Sequence, residues 1–168
     1  MKMTKQDLKK YAVYAFVLLL ILLYARPRSF YSVMPDFEKA DIVSCEAVYF
    51  STDFDENGNF VDNTRNVEFD INSEEYKELL SLLKSAKYRK HFVDFFIGGN
   101  IGSYSINLNP HAQIYFYAEN EMYEISLLGR WIVAGKIGEK YDYSAYFNGK
   151  KFQKKVIEFV GEKGTEKE

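Results

Sequence analysis

Two histidines, His91 and His111, stand twenty positions apart, so neither a His-x-x-x-His pair nor a multi-histidine zinc set can be assembled. Asp94 follows His91 at a distance from which a carboxylate could orient an imidazole as a general base, but no nucleophile is specified beside them. His111 follows Pro110 and reads as turn chemistry. Gly98, Gly99 and Gly102 invite comparison with a phosphate-binding loop, yet the lysine and the full glycine spacing of such loops are missing. Backbone freedom is the expected role of these glycines.

Residues 53–58, DFDENG, carry oxygen-bearing side chains at alternate positions, Asp53, Asp55 and Asn57, ahead of Gly58. That spacing resembles the opening half of an EF-hand calcium loop, in which glycine permits the sharp turn. The closing half differs, because Thr64 stands where a bidentate glutamate belongs and the flanks read as strands. A solvated hairpin tip is expected, and weak calcium binding by Asp53, Asp55 and Asn57 is the one cofactor the sequence offers.

A single cysteine, Cys45, excludes an intramolecular disulfide and a cysteine-based zinc site. Ile42-Val43-Ser44-Cys45 resembles a lipoprotein processing site locally, but a long charged stretch separates it from the preceding hydrophobic run. A buried strand thiol is expected. With 22 basic and 24 acidic residues the net charge is -2, which excludes the global positive field of a nucleic-acid binder.

Three surfaces remain as contacts for a partner or a membrane. Phe92, Phe95 and Phe96 form an aromatic group that could anchor a partner or dip into lipid, with burial under a sheet as the plainer role. Lys150, Lys151, Lys154 and Lys155 form one basic group, and Lys84, Lys87, Arg89 and Lys90 another. Both suit anionic headgroups or wall polymers, and both also suit the solvated face of a helix. Tyr115, Tyr117 and Tyr123 are read as exposed rings paired across strands.

Residues 11–25, YAVYAFVLLLILLYA, carry no charge; Lys2, Lys5, Lys9 and Lys10 precede them and Arg26-Pro27-Arg28 follows. As a helix the run is about 22 Å long, against ~30 Å for a hydrocarbon core. Lysine and arginine flanks can snorkel to headgroups, and Tyr11, Tyr14 and Tyr24 suit the interfaces. The expectation is an uncleaved single-pass anchor. A cleaved signal peptide is the rival, and would leave a secreted domain, but bulky Leu23 and the Arg26-Pro27 sequence make a poor cleavage site. The excess of lysine before the run favours a cytoplasmic amino terminus and an extracytoplasmic domain.

Residues 26–36, bracketed by prolines, read as a linker, and residues 37–161 as one domain of the usual size. Alternation over residues 42–50 and 66–71 predicts an antiparallel hairpin. Asn72 and Glu75 read as a capping pair for a helix whose apolar stripe is Tyr76, Leu79, Leu80, Leu83 and Ala86. Strands follow at residues 104–108, 114–118, 122–127 and 131–134, consistent with a meander. Phe152, Val156, Phe159 and Val160 then recur at helical spacing, with Gly161 as the stop, although Asn148-Gly149 also suits a hairpin turn. Residues 162–168 read as a frayed charged tail.

The fold class expected is α+β: an N-terminal transmembrane helix, then a small antiparallel sheet packed with one amphipathic helix and a short C-terminal helix. The functional expectation is a membrane-tethered, extracytoplasmic cell-envelope module that binds a protein or envelope polymer without catalysis. An envelope enzyme or immunity-type inhibitor is the alternative, distinguished by a cleft that gathers polar groups.

Overall fold

The computed structural model describes residues 5–90, 110–128, 131–138, 141–145 and 149–166. Residues 91–109 lie outside these, and with them His91, Asp94, the group Phe92, Phe95 and Phe96, the glycine loop and the strand expected at 104–108. The chain is α+β, built on an antiparallel sheet. In chain order the elements are helix α1 (Lys5–Tyr24), the short α2 (Phe30–Val33), strands β1 (Ile42–Phe50), β2 (Thr52–Phe54), β3 (Phe60–Asp62) and β4 (Arg65–Phe69), and helix α3 (Glu74–Ser85). There follow β5 (Tyr88–Lys90), β6 (His111–Ala118), β7 (Met122–Leu128), β8 (Trp131–Lys136), β9 (Tyr141–Ala145), helix α4 (Gly149–Lys163) and β10 (Thr165–Glu166).

Among the described residues eight strands form one sheet in the order β10-β4-β1-β6-β7-β8-β9-β5. The expected hairpin is the β1–β4 pair, with Cys45 opposite Phe69 and Ala47 opposite Val67. Strands β6 to β9 follow one another as neighbours, so the meander expected from alternation continues one strand further than the residue pattern indicated. Cross-strand register places Cys45, Phe116 and Tyr123 in one row and Ala47, Ile114, Ile125 and Ala134 in the next. All of these are buried, and together they make the core face of the sheet.

The amphipathic helices cover that face. Tyr76, Leu79 and Leu83 of α3 point inward, as the stripe predicts, while Val156, Ile157, Phe159 and Val160 do so from α4. The α4 helix packs on β1, β6 and β9, and α3 packs on α4. The α3 cap lies one residue later than expected: Ser73, with extended backbone, accepts from the Tyr76 amide at 3.0 Å. Asn72 instead donates to Asp70 from its backbone N–H, closing the turn before the helix.

The C-terminal end differs from expectation in three ways. α4 has 15 residues and is not short; Gly161 lies inside it; and residues 165–166 pair with β4 instead of fraying. Gly161 fits against a ring, since a Cβ there would lie 2.9 Å from Tyr49 Cε2. Gly164 ends the helix, its amide donating to the Val160 carbonyl. A Cβ at Gly164 would sit 2.6 Å from Val67 Cβ and 2.8 Å from the Val160 oxygen. Replacing Gly164 with alanine is therefore expected to cost about 1–3 kcal/mol in urea unfolding and to release β10, because the Val67 side chain and the Val160 carbonyl leave it no room.

Residues 26–36 are not a linker. Phe30, Val33 and Met34 are buried, and the Phe30 ring meets Phe37 edge-on with centroids 5.2 Å apart. Phe37 in turn meets Phe116 and Tyr123 edge-on. Arg28 pairs with Tyr88 as an isolated antiparallel bridge, exchanging N–H···O bonds of 2.7 and 2.9 Å. The folded unit thus begins at Arg28, and three residues join it to α1.

Candidate functional site

Helix α1 is the part of the chain whose chemistry the fold leaves unanswered. Its residues 16–20 are consecutive and cover more than one full turn. Phe16, Val17, Leu18, Leu19 and Leu20 are exposed by 60, 45, 57, 51 and 39 %. No side of the helix is therefore laid against the folded unit. A helix that is apolar all round belongs inside a core or in lipid. Its charge-free part is about 21 Å long, and among the described residues no helix is long and apolar enough to cross a membrane. The expected transmembrane assignment goes no further here than an exposed apolar helix.

At the end of α1, two distant stretches of chain meet through the Arg28–Tyr88 bridge. Tyr88 is wholly buried and its hydroxyl donates to the Leu83 carbonyl at 2.7 Å; burial pushes its phenol up from the usual tyrosine range. Next to it Arg89 is exposed, and Lys90 is half-buried. The Lys90 ammonium lies 5.9 Å from the Tyr24 ring centroid, and that of Lys84 lies 5.2 Å from Tyr31. Arg26, Lys84 and Lys87 are exposed, and Arg28 is half-buried. Of the basic group read at residues 84–90, Lys90 therefore lies against the last turn of the apolar helix and Lys84 against α2.

The second basic group is placed differently. Lys150, Lys151, Lys154 and Lys155 lie on the exposed side of α4, and Lys154 pairs with Glu158 at 3.5 Å on the same helix. This is the solvated face that the spacing allows.

Asp53, Asp55 and Asn57 belong to a two-stranded arm, β2–β3, that continues β1 and β4 past the end of β6. Beyond Phe50, which pairs with and stacks on His111, no third strand supports the arm among the described residues. His111 is thus the first residue of β6 and not part of a turn. Asp55 Oδ1 accepts from the amides of Asn57 and Asn59, both at 2.8 Å, and Oδ2 accepts from Asn59 Nδ2 at 2.9 Å. Asp53 Oδ2 accepts from Asn63 Nδ2, and Gly58 takes the positive φ of 80° the turn requires. These oxygens close the turn, and among the described residues no group of three acidic, histidine or cysteine side chains is placed to hold a metal.

Hydrogen bonds from Asn59, chiefly, and Asn57 hold the Asp55 carboxyl below its usual value. A depressed carboxyl contributes stability that is present above the unfolded value and lost as pH falls through the native one. Acidification is expected to release the turn before the sheet, with the Asn57 and Asn59 amides losing exchange protection first. Millimolar calcium at neutral pH is expected to leave those two amide resonances unmoved, because the Asp55 oxygens already serve the turn and no further ligands converge on them among the described residues.

The second face of the sheet carries polar groups that sequence reasoning missed. Glu68, Glu46, Tyr115, Glu124 and Gly135 form one cross-strand row, and Gln113 and Ser126 are neighbours in the next. Glu124 is 7 % exposed and Ser126 2 %, with the Ser126 hydroxyl donating to Glu124 Oε1 at 2.5 Å. Tyr115 donates to Gln113 at 2.8 Å, and burial raises its phenol. Tyr115 and Tyr117 are half-buried, whereas Tyr123, read as exposed, lies fully in the core with its hydroxyl donating to Glu121. Lys136 holds the other oxygen of Glu121 and is the first cause of its lowered carboxyl value. An open cleft of about 400 Å³ beside Glu121 is lined by Asp36, Lys39, Asp41 and Glu119, with Lys39 paired to Asp36.

Cys45 is buried in β1, and burial pushes its thiol far up, so it is an inert strand residue. A second open cleft of about 300 Å³ is lined by Ser44, Cys45, Glu46, Glu68, Asp70 and Thr165. Compared with known proteins, the chain gives no significant match to a family model, a curated protein or a solved structure.

Proposed function

We propose that this chain is a membrane-attached, noncatalytic interaction module, held to a lipid bilayer by α1. The exposure of apolar side chains all around α1 carries this reading. Each large apolar side chain moved from water into hydrocarbon contributes roughly 1.5–3 kcal/mol, so consecutive exposed Phe, Val and Leu residues give lipid a strong claim on the helix. The charge-free run is shorter than the hydrocarbon core, and snorkelling Lys9, Lys10 and Arg26 with interfacial Tyr11 and Tyr24 offset the mismatch. Lysine excess before the run places the amino terminus in the cytoplasm and the domain outside.

The junction makes this a stiff mount. Only residues 25–27, Pro27 among them, separate α1 from the Arg28–Tyr88 bridge, which limits the domain to about 14 Å from the end of the helix. Such closeness raises the effective concentration of the domain for partners in the same membrane. The second face of the sheet, with Glu46, Glu68 and half-buried Tyr115 and Tyr117 in fixed register, suits a lysine- or arginine-bearing segment of such a partner. Alkaline carbonate extraction of cells expressing the full chain tests the attachment. The protein is expected to stay with the membrane pellet, and its release as a peripheral protein would count against this function.

A further inference from the structure

We infer that the basic collar around the foot of α1 is a docking site for anionic lipid headgroups. This rests on the membrane attachment proposed above and assigns a partner chemistry to a different part of the surface. Residues 24–33 and 79–90 are far apart in sequence, yet between them they hold Arg26, Arg28, Lys84, Lys87, Arg89 and Lys90 and no acidic residue. Outside these two stretches the chain holds 16 basic and 24 acidic residues. The Arg28–Tyr88 bridge joins the two stretches, and the contact between Lys90 and Tyr24 ties them to the last turn of the helix.

Position gives the collar its ligand. Cations at the end of a lipid-embedded helix lie at the depth of the phosphates, where each Lys or Arg near an anionic surface contributes about a fivefold gain in binding. In β5, Tyr88 enters the core and Arg89 faces out, while Lys90 reaches the Tyr24 ring. Tyr24 and Tyr31, which carry the ammonium groups of Lys90 and Lys84, are the amphipathic rings that settle at headgroup level. The α4 lysines lie on a different helix, where Lys154 pairs with Glu158.

The test uses the full chain, diluted from detergent into vesicles of phosphatidylcholine alone or of an equal mixture of phosphatidylcholine and phosphatidylglycerol, and recovered by flotation. The wild type is expected to partition into the mixed vesicles roughly 10- to 100-fold better than into the neutral ones at low salt, with the preference shrinking as salt shortens the Debye length. The variant K84Q/K87Q/R89Q is expected to lose most of that preference while still entering neutral vesicles. All three residues are exposed, so circular dichroism should report an unchanged fold. K150Q/K151Q is expected to keep the preference. Equal wild-type partition into both vesicles would overturn the collar and leave the anchor standing, as would loss of the preference in K150Q/K151Q instead. Recovery with neither vesicle would overturn the anchor as well.

Discussion

Replacing Phe30 with alanine is expected to lower the stability of the full chain in detergent by about 3–5 kcal/mol, read from urea unfolding by near-ultraviolet circular dichroism. The effect is large because Phe30 is only 1 % exposed and begins a chain of edge-to-face rings, Phe30 to Phe37 and on to Phe116 and Tyr123. Removing its ring leaves a cavity between α2 and the sheet that backbone pinned by the Arg28–Tyr88 bridge cannot close. Ser32 is exposed on the same four-residue helix, and alanine there should change stability by no more than about 0.5 kcal/mol. A small effect of Phe30→Ala would mean that residues 26–36 are a linker after all, and the stiff mount would be lost with them.

The largest effect is expected in α1. Placing aspartate at both Leu18 and Leu19 puts two charges at the middle of the apolar run, each costing about 2.5–3.5 kcal/mol in hydrocarbon, or about 5–7 kcal/mol together. Aspartate is the sharper choice because lysine would snorkel. Both leucines are more than half exposed, so the fold from Arg28 onward should be untouched and its urea midpoint unchanged. In carbonate extraction the double variant is expected in the supernatant. Retention in the pellet would show that α1 does not hold the chain to the bilayer.

Much of this architecture could be read from residue spacing, and the departures have local causes. The β1–β4 pair was legible because its two segments alternate, and α3 because Tyr76, Leu79 and Leu83 recur along one stripe. Residues 26–36 hold Phe30, Tyr31, Val33 and Met34 between prolines without steady periodicity, so nothing local distinguishes Phe30 from an exposed ring; its burial comes from Phe37 and the sheet beyond. Gly161 looked like a helix stop because glycine usually leaves a helix at its end, whereas here it admits the Tyr49 ring. The sequence of β7 alternates polar and apolar residues, which reads as one wet face, and only the folded chain reveals that Glu124 and Ser126 are buried. The basic collar was visible as charge at residues 84–90, but its place beside α1 depends on a bridge between residues sixty positions apart.

The central claim is that α1 lies in lipid, and spin-label accessibility tests it most directly. Native Cys45 is 1 % exposed with its thiol pushed far up, so a cysteine introduced at position 18 can be labelled selectively in the folded chain. In vesicles, a nitroxide on Leu18→Cys is expected to be reached by oxygen and shielded from a water-soluble nickel chelate, whereas one on Arg26→Cys should show the reverse. Free access of the chelate to position 18 would contradict the account.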